Sequence, residues 1–295
     1  MSRLKTKRRN EGREAFLFLL PNFIGFLVFT LIPIIAVIVI SLLEWDFINT
    51  PTFVGLSNYS LLFQDPQFGK IMGNTLLFTV YTVPLNMILG LFLAILLNQK
   101  LKGKAIFRTF VFAPYIACTT AVAILWKWMY NDQFGLIPYA FKALGLASPR
   151  FLSDPNVVMT SIAIMTIWKS VGYNVVMFLA GLQGISPSYY EAADIDGANS
   201  WQKIFKITLP MLSPTTFFLL VMAVVSSFQV FEQTYILTSG GPSYASTTLV
   251  YYLYQYGFVW HKFGISSALS LILFIFVFAV TVVQMAFEKR WVNYD

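Results

Sequence analysis

The sequence predicts an all-α membrane protein with six transmembrane helices. Of its 295 residues, 57% are hydrophobic and 11% are charged, whereas a soluble domain carries about 25% charged residues. Apolar runs long enough to cross a bilayer, about 20 residues each, recur along the chain. We therefore expect one helical membrane domain rather than the two soluble domains that the length alone would suggest.

The predicted spans follow these apolar runs to within a few residues. Crossing about 30 Å of hydrocarbon at 1.5 Å per residue requires about 20 residues. The six candidates are residues 15–43, 74–97, 108–129, 156–182, 214–237 and 264–287. The first run is longer than the apolar core of a signal peptide, and no small-residue cleavage site ends it, so we expect it to be retained.

The distribution of basic residues predicts the orientation. Six spans place both termini on one side, where 14 of the 20 Lys and Arg residues fall; five fall on the other side, and Lys169 lies inside the fourth run. Because basic residues are in excess in cytoplasmic loops, we expect both termini in the cytoplasm. The domain prediction is a basic N-terminus at 1–14, one transmembrane domain at 15–290 and a tail at 291–295.

Composition and motifs exclude several functional classes. The net charge of +7 comes from basic residues that lie between apolar segments, so it does not indicate a surface for nucleic acid. One cysteine, Cys118, and one histidine, His261, cannot build a disulfide or a Cys-based metal site. With no His-x-x-x-His, no Gly-x-Ser-x-Gly and no intramembrane pair of Asp residues, we expect no catalytic residues and no metal site.

The loop between the fourth and fifth spans, residues 186–213, is longer than a simple connection and has helical composition. Pro187 favours a helix start, Glu191 and Asp194 place negative charge in its early turns, and Gly197 ends it. An amphipathic stripe follows at spacings of three and four, formed by Trp201, Ile204, Phe205 and Thr208. Leu209-Pro210 closes this second helix. An ordinary amphipathic surface helix would explain the stripe, but not the acidic segment and the glycine before it.

These residues resemble the EAA loop in permease subunits of binding-protein-dependent ABC importers. The match comprises Glu191-Ala192-Ala193, Asp196-Gly197-Ala198 and Phe205-x-Ile207-x-Leu209-Pro210, before the penultimate span as in that family. Residues 113–115, 180–183 and 240–242 extend the resemblance over roughly 15–290, to the carbohydrate branch and its compact oligosaccharide and glycerol-3-phosphate type. It implies the type I ABC importer permease fold.

The resemblance also implies a function and partners. The chain would be a transport subunit, not an enzyme, in the cytoplasmic (inner) membrane of a prokaryote, moving a sugar, an oligosaccharide or a sugar-like solute such as glycerol 3-phosphate by alternating access. Its partners would be two ATP-binding cassette ATPase subunits, a second and different permease, an extracytoplasmic solute-binding protein and membrane lipid.

No cofactor is expected in this chain, which has no phosphate-loop motif; ATP and Mg would bind the ATPases. The positions implied for coupling to the ATPases are Glu191, Ala192, Ala193, Asp194, Asp196, Gly197, Ala198, Leu209 and Pro210. The alternative function is an ATP-independent facilitator or channel for a small polar solute, which would not need such a loop.

Polar residues inside the spans predict the substrate path, because polar groups in lipid are expensive and face a bundle interior or a wet cavity. The fourth and fifth runs supply Lys169, Ser170, Tyr173, Asn174, Ser226, Ser227, Gln229 and Glu232. The resemblance adds Thr119. Each could instead only join helices by hydrogen bonds. Lys169 and Glu232 depart from the maltose-type pattern: they pair with each other or with the second subunit, or Lys169 helps to hold an anionic solute.

Overall fold

The secondary structure is helical apart from one short hairpin in the residues that the computed structural model describes, which are 14, 16–99 and 102–293. Apart from Glu14, the predicted basic N-terminus lies outside the described residues, as do Tyr294 and Asp295 of the predicted tail. The helices are α1 Phe16–Ser41, α2 Ser57–Gln64, α3 Pro66–Asn98, α4 Lys104–Ile116, α5 Thr119–Met129, α6 Leu136–Ala143, α7 Val158–Gly184, α8 Pro187–Ile195, α9 Ser200–Met211, α10 Ser213–Phe228, α11 Glu232–Thr238, α12 Leu249–Tyr254, which continues as a π-helical turn at Gln255–Val259, and α13 Phe263–Glu288.

The predicted spans have counterparts among these helices. In the described part of the chain, α1, α3, α7 and α13 are long and apolar enough to cross a membrane, and two bent pairs, α4 with α5 and α9 with α10, bring the number to six if each pair is one span. The helix α3 begins at Pro66 rather than at residue 74. Its start is fixed by the Asp65 carboxylate, which accepts a hydrogen bond of 2.9 Å from the Gln67 N–H.

Two spans predicted as continuous are broken. The third, predicted at 108–129, stops at Ile116 and restarts at Thr119 with a bend of 96°. The fifth, predicted at 214–237, stops at Phe228 and restarts at Glu232. These predictions of continuous helices were wrong. Hydropathy indicates whether a segment is compatible with lipid, but not whether the helix axis stays straight.

The first of two units comprises the described residues up to Leu62 together with Leu253–Ile272. Here the strands β1, Leu43–Glu44, and β2, Thr52–Phe53, form an antiparallel hairpin after α1. The buried Asn58 amide donates to the carbonyls of Ser41 and Leu43 at 2.8 and 2.9 Å. A Cβ on Gly264 would lie 2.0 Å from the Leu43 carbonyl oxygen, so only glycine fits where α13 starts against this hairpin.

The second unit, which comprises the described residues within 63–252 and 273–295, is built around the packed pair α3 and α7. A Cβ on Gly90 of α3 would lie 2.6 Å from the Asn174 Cβ, so these two helices approach closely. Helix α4 packs on α7 at Gly172, where a Cβ would lie 2.3 Å from the Val111 carbonyl oxygen. Small residues at such crossings allow membrane helices to pack backbone to backbone.

The core of this unit includes two large apolar clusters. One joins the second halves of the broken spans, α5 and α11, through Val122, Trp126 and Leu237. The other joins α3, α7 and the start of α10 through Ala94, Phe178 and Leu212, which are almost fully buried. The polar site described below lies among these same helices.

The contact at Gly172 predicts a specific destabilisation. We expect Gly172→Leu to destabilise the protein by about 1–3 kcal/mol, because the side chain has to push the α4 backbone away from α7. Gly73→Leu on α3 is the matched control, since a Cβ there meets nothing within 4 Å. Thermal unfolding of the purified protein measures both, and equal melting temperatures for the two variants would contradict this packing.

Candidate functional site

A cavity of about 490 Å³ lies in the second unit. Its walls come from α3, α7 and α10, and both helix breaks open onto it. The polar lining residues are Thr82, Asn86, Tyr115, Thr119, Thr166, Ser170, Tyr173, Asn174, Ser226, Ser227, Gln229, Glu232 and Gln233. The volume is in the range of small-molecule sites. A break in a membrane helix is tolerated where its backbone lines such a cavity.

Hydrogen bonds between α3 and α7 order one wall of the cavity. The Asn86 amide donates to the Ser170 hydroxyl, and the Asn174 amide donates to the Asn86 carbonyl oxygen at 3.1 Å. Ser170 in turn donates to the Thr166 carbonyl at 2.7 Å. Beside them the rings of Tyr115 and Tyr173 stack with centroids 5.1 Å apart. The wall therefore combines fixed polar groups with an aromatic surface.

Eight of the nine residues predicted for the substrate path line this cavity, and Lys169 does not. The Lys169 ammonium donates to the Tyr115 carbonyl oxygen at 3.3 Å and lies 5.7 Å from the centre of the Tyr115 ring. Tyr115 is in the last turn of α4, where backbone carbonyls lack helical partners and the helix dipole favours a cation. Lys169 thus caps the helix that ends at the first break.

At the second break, a backbone carbonyl accepts a hydrogen bond from a residue in a different part of the chain. The Val230 carbonyl accepts a hydrogen bond of 2.9 Å from the buried Thr248 hydroxyl. Glu232 follows in the first turn of α11, exposed and facing the cavity. In the described residues no ion pair joins Lys169 to Glu232; the contacts of Lys169 are with Tyr115.

Sequence reasoning missed the contribution of α3. Thr82 and Asn86 line the cavity from α3, and Thr166 lines it from α7. An available signal was Asn86, an amide in the middle of the second apolar run. The same reasoning that selected polar residues in the fourth and fifth runs applies to it.

The first half of the 186–213 loop folds as predicted, into a short helix that ends at a glycine. The Ser186 hydroxyl caps α8, with Pro187 at the first helical position. At the other end Gly197 has φ of +73°, and the N–H groups of Gly197 and Ala198 bond the carbonyls of Asp194 and Ala193 at 3.1 and 2.9 Å. This is a Schellman motif, in which the left-handed position favours glycine.

The second half of the loop forms helix α9, which side-chain contacts hold against α8. An Asn199–Gln202 capping box starts α9, and Lys203 forms an ion pair with Asp194 of α8. The hydroxyls of Tyr190 and Thr208 are 3.0 Å apart. These bonds link the two helices on either side of Gly197.

The residues implied for coupling are partly exposed, and two details of the loop differ from prediction. Ala193 is buried and Ala198, Leu209 and Pro210 are half-buried, whereas Glu191, Ala192, Asp194, Asp196 and Gly197 are exposed. The first turn of α8 contains no acidic residue, because Glu191 and Asp194 lie further along it. Pro210 does not close α9, which continues to Met211.

A π-helical turn at Ile204–Thr208 precedes Pro210. In it the Leu209 N–H bonds the Ile204 carbonyl, five residues back. This change of pattern lets the helix continue through a residue that has no N–H to donate. In the amphipathic stripe, Thr208 is buried and Ile204 half-buried, while Trp201 and Phe205 are exposed and stack with centroids 6.2 Å apart.

Comparison with known proteins gives a consistent result. A family model described as binding-protein-dependent transport system inner membrane component matches residues 86–293. The probable ABC transporter permease protein YurN of Bacillus subtilis (strain 168) is 37% identical over 93% of this chain and 95% of its own length. The sn-glycerol-3-phosphate transport system permease protein UgpA of Yersinia pestis bv. Antiqua (strain Antiqua) is 37% identical over 82% of each chain.

The fold is shared with a solved transporter. In the crystal structure of a bacterial alginate ABC transporter in complex with an alginate pentasaccharide-bound periplasmic protein, one chain matches with a TM-score of 0.85 and 25% identity, over 96% of each chain. All of these relatives are described as components of membrane transporters.

The contact between Asn86 and Ser170 predicts energetic coupling between α3 and α7. In a double-mutant cycle of Asn86→Leu and Ser170→Ala, we expect a coupling free energy of about 0.6–1.7 kcal/mol, the range for hydrogen bonds between membrane helices. Unfolding in mixed micelles measures it. Asn86→Leu combined with Ser226→Ala, on another helix, should give additive effects, and additivity in both cycles would contradict the network.

Proposed function

Because the chain belongs to the family of inner-membrane components of binding-protein-dependent transport systems, we propose that it forms half of the pathway by which an ATP-driven importer moves a sugar or sugar-like solute. The other half is a second, different permease, and two ATPase subunits bind ATP and Mg on the cytoplasmic side. An extracytoplasmic binding protein delivers the solute. The chain lies in the cytoplasmic membrane of a prokaryote with both termini in the cytoplasm.

The observation that carries this proposal is the link between the 186–213 loop and the cavity. The loop helix α9 runs into α10 through a bend of 65° at Leu212, and α10 supplies Ser226 and Ser227 to the cavity. Leu212 is fully buried in the cluster with α7, so the bend is held by packing. A force applied to the loop therefore reaches the cavity wall through a packed element, as alternating access requires.

The loop offers a surface for an ATPase subunit. A short helix such as α8 has little stability alone, and here its position is fixed by bonds to α9. A Cβ on Gly197 would meet nothing within 4 Å in this chain. The space beside Gly197 is open, so a partner can approach the backbone there.

The solute class is supported by the relatives and by the cavity. The relatives include a transporter of glycerol 3-phosphate and one of the acidic polysaccharide alginate. Stacked tyrosines beside amides and hydroxyls suit a sugar, whose ring has apolar faces and whose hydroxyls need hydrogen-bond partners.

Transport without ATP is the competing proposal, and one assay separates the two. The complex is reconstituted in liposomes with its binding protein, and uptake of radiolabelled saccharide is measured with and without ATP on the ATPase side. We expect uptake only with ATP. Equal uptake in both conditions would identify a facilitator.

Substitution at Gly197 tests the coupling role. Gly197→Asp should lower uptake and solute-stimulated ATP hydrolysis at least about tenfold, because a side chain occupies the space that the ATPase requires. Gly145→Asp is the matched control, since Gly145 has φ of +71° and equally open surroundings, so the backbone strain is similar. If the two variants lost activity equally, strain rather than docking would explain the loss.

A further inference from the structure

We propose that the cavity accepts saccharides that carry no phosphate or carboxylate group, and that Glu232 is the residue that excludes anionic solutes. This inference rests on the proposed function, because it names the class of solute that the cavity passes. It differs from what the glycerol-3-phosphate and alginate transporters would suggest, since both of those solutes are anionic.

The charge of the cavity lining carries the inference. Of the lining residues in the described part of the chain, Glu232 carries a charge, and no Lys or Arg accompanies it. Its carboxylate is exposed to the cavity at the second helix break. In a site partly shielded from water, a phosphate or carboxylate within about 6 Å would be repelled strongly enough to weaken binding by more than about tenfold.

Lys169 is held by Tyr115 and does not line the cavity. Its ammonium bonds the Tyr115 carbonyl and lies against the Tyr115 ring, and Lys169 is not among the lining residues. Moving it toward a solute would remove the cap from the end of α4. The alternative in which Lys169 holds an anionic solute is therefore disfavoured by its contacts.

The other polar side chains that line the cavity fall into two groups: some are held by hydrogen bonds to one another, and others are exposed to a solute in the cavity. Asn86, Ser170 and Asn174 bond one another, whereas Ser226, Gln229 and Glu232 are exposed to the cavity. An ionised carboxylate accepts hydrogen bonds and donates none. Sugar hydroxyls or an amino group satisfy it as donors, and an acidic group does not.

The single cysteine provides a direct probe of the cavity charge. Cys118 is exposed and adjoins Thr119, which lines the cavity. In the assembled importer, this chain is labelled with cationic and anionic methanethiosulfonates, and intact mass gives the two rates. We expect the cationic-to-anionic rate ratio to fall about fivefold in Glu232→Gln, because one unit charge near the thiol changes the two labelling rates in opposite directions.

Glu44→Gln, an acidic residue that does not line the cavity, is the matched control and should leave the ratio unchanged. An unchanged ratio in Glu232→Gln would overturn the assignment of the cavity charge to Glu232. Because the readout is the mass of the labelled chain, it does not require the natural solute.

Selectivity is then tested by transport. Reconstituted importer with its binding protein is given maltotriose, raffinose, a glucosamine disaccharide, glycerol 3-phosphate or digalacturonate, and stimulated ATP hydrolysis and uptake are measured. We expect ATP hydrolysis and uptake to be stimulated by saccharides among the first three probes, and not by glycerol 3-phosphate or digalacturonate. Stimulation by glycerol 3-phosphate or digalacturonate would overturn this inference and leave the importer function standing, whereas uptake without ATP would contradict the importer function itself.

Discussion

Backbone groups freed where a membrane helix breaks have to find partners inside the protein, because lipid offers none. Two spans of this chain break at the same cavity, and each break has its own solution. Lys169 bonds the carbonyl of Tyr115 at the first, and Thr248 bonds the carbonyl of Val230 at the second. Both of these bends border the cavity. The intramembrane lysine therefore has a structural explanation that requires no solute.

The two halves of each broken span have different surroundings. The second halves, α5 and α11, pack on each other in an apolar cluster that also includes Phe78 of α3 and Met165 of α7, whereas α4 packs on α7, and α10 packs on α3 and α7. Helix α10 is in turn continuous with the loop helix α9 through the buried Leu212. The cavity is therefore lined both by α10, which is joined to the loop helix, and by α5 and α11, which share an apolar cluster with α3 and α7.

Prediction from the sequence succeeded where a local pattern has one structural meaning. Ser186-Pro187 and Gly197 define α8 because the cap, the first-turn proline and the left-handed glycine each satisfy identifiable backbone groups. Polar residues in apolar runs identified most of the cavity for a similar reason. Asn86 carries the same signal, but it lies in the second run, away from the spans that flank the loop, and was not predicted. The role of Lys169 required coordinates, since nothing in the sequence relates it to Tyr115, 54 positions away.

The sequence by itself determined that this is a helical membrane protein with about six spans, and through the motif in the 186–213 loop it determined the family. Both follow from local chemistry, namely transfer of side chains to lipid and satisfaction of helix ends. Only the tertiary structure decided where the spans bend, which polar residues share a cavity and which charge faces it. Those outcomes depend on contacts between helices, such as Gly172 against Val111 and Gly90 against Asn174, which hydropathy along a single segment does not encode.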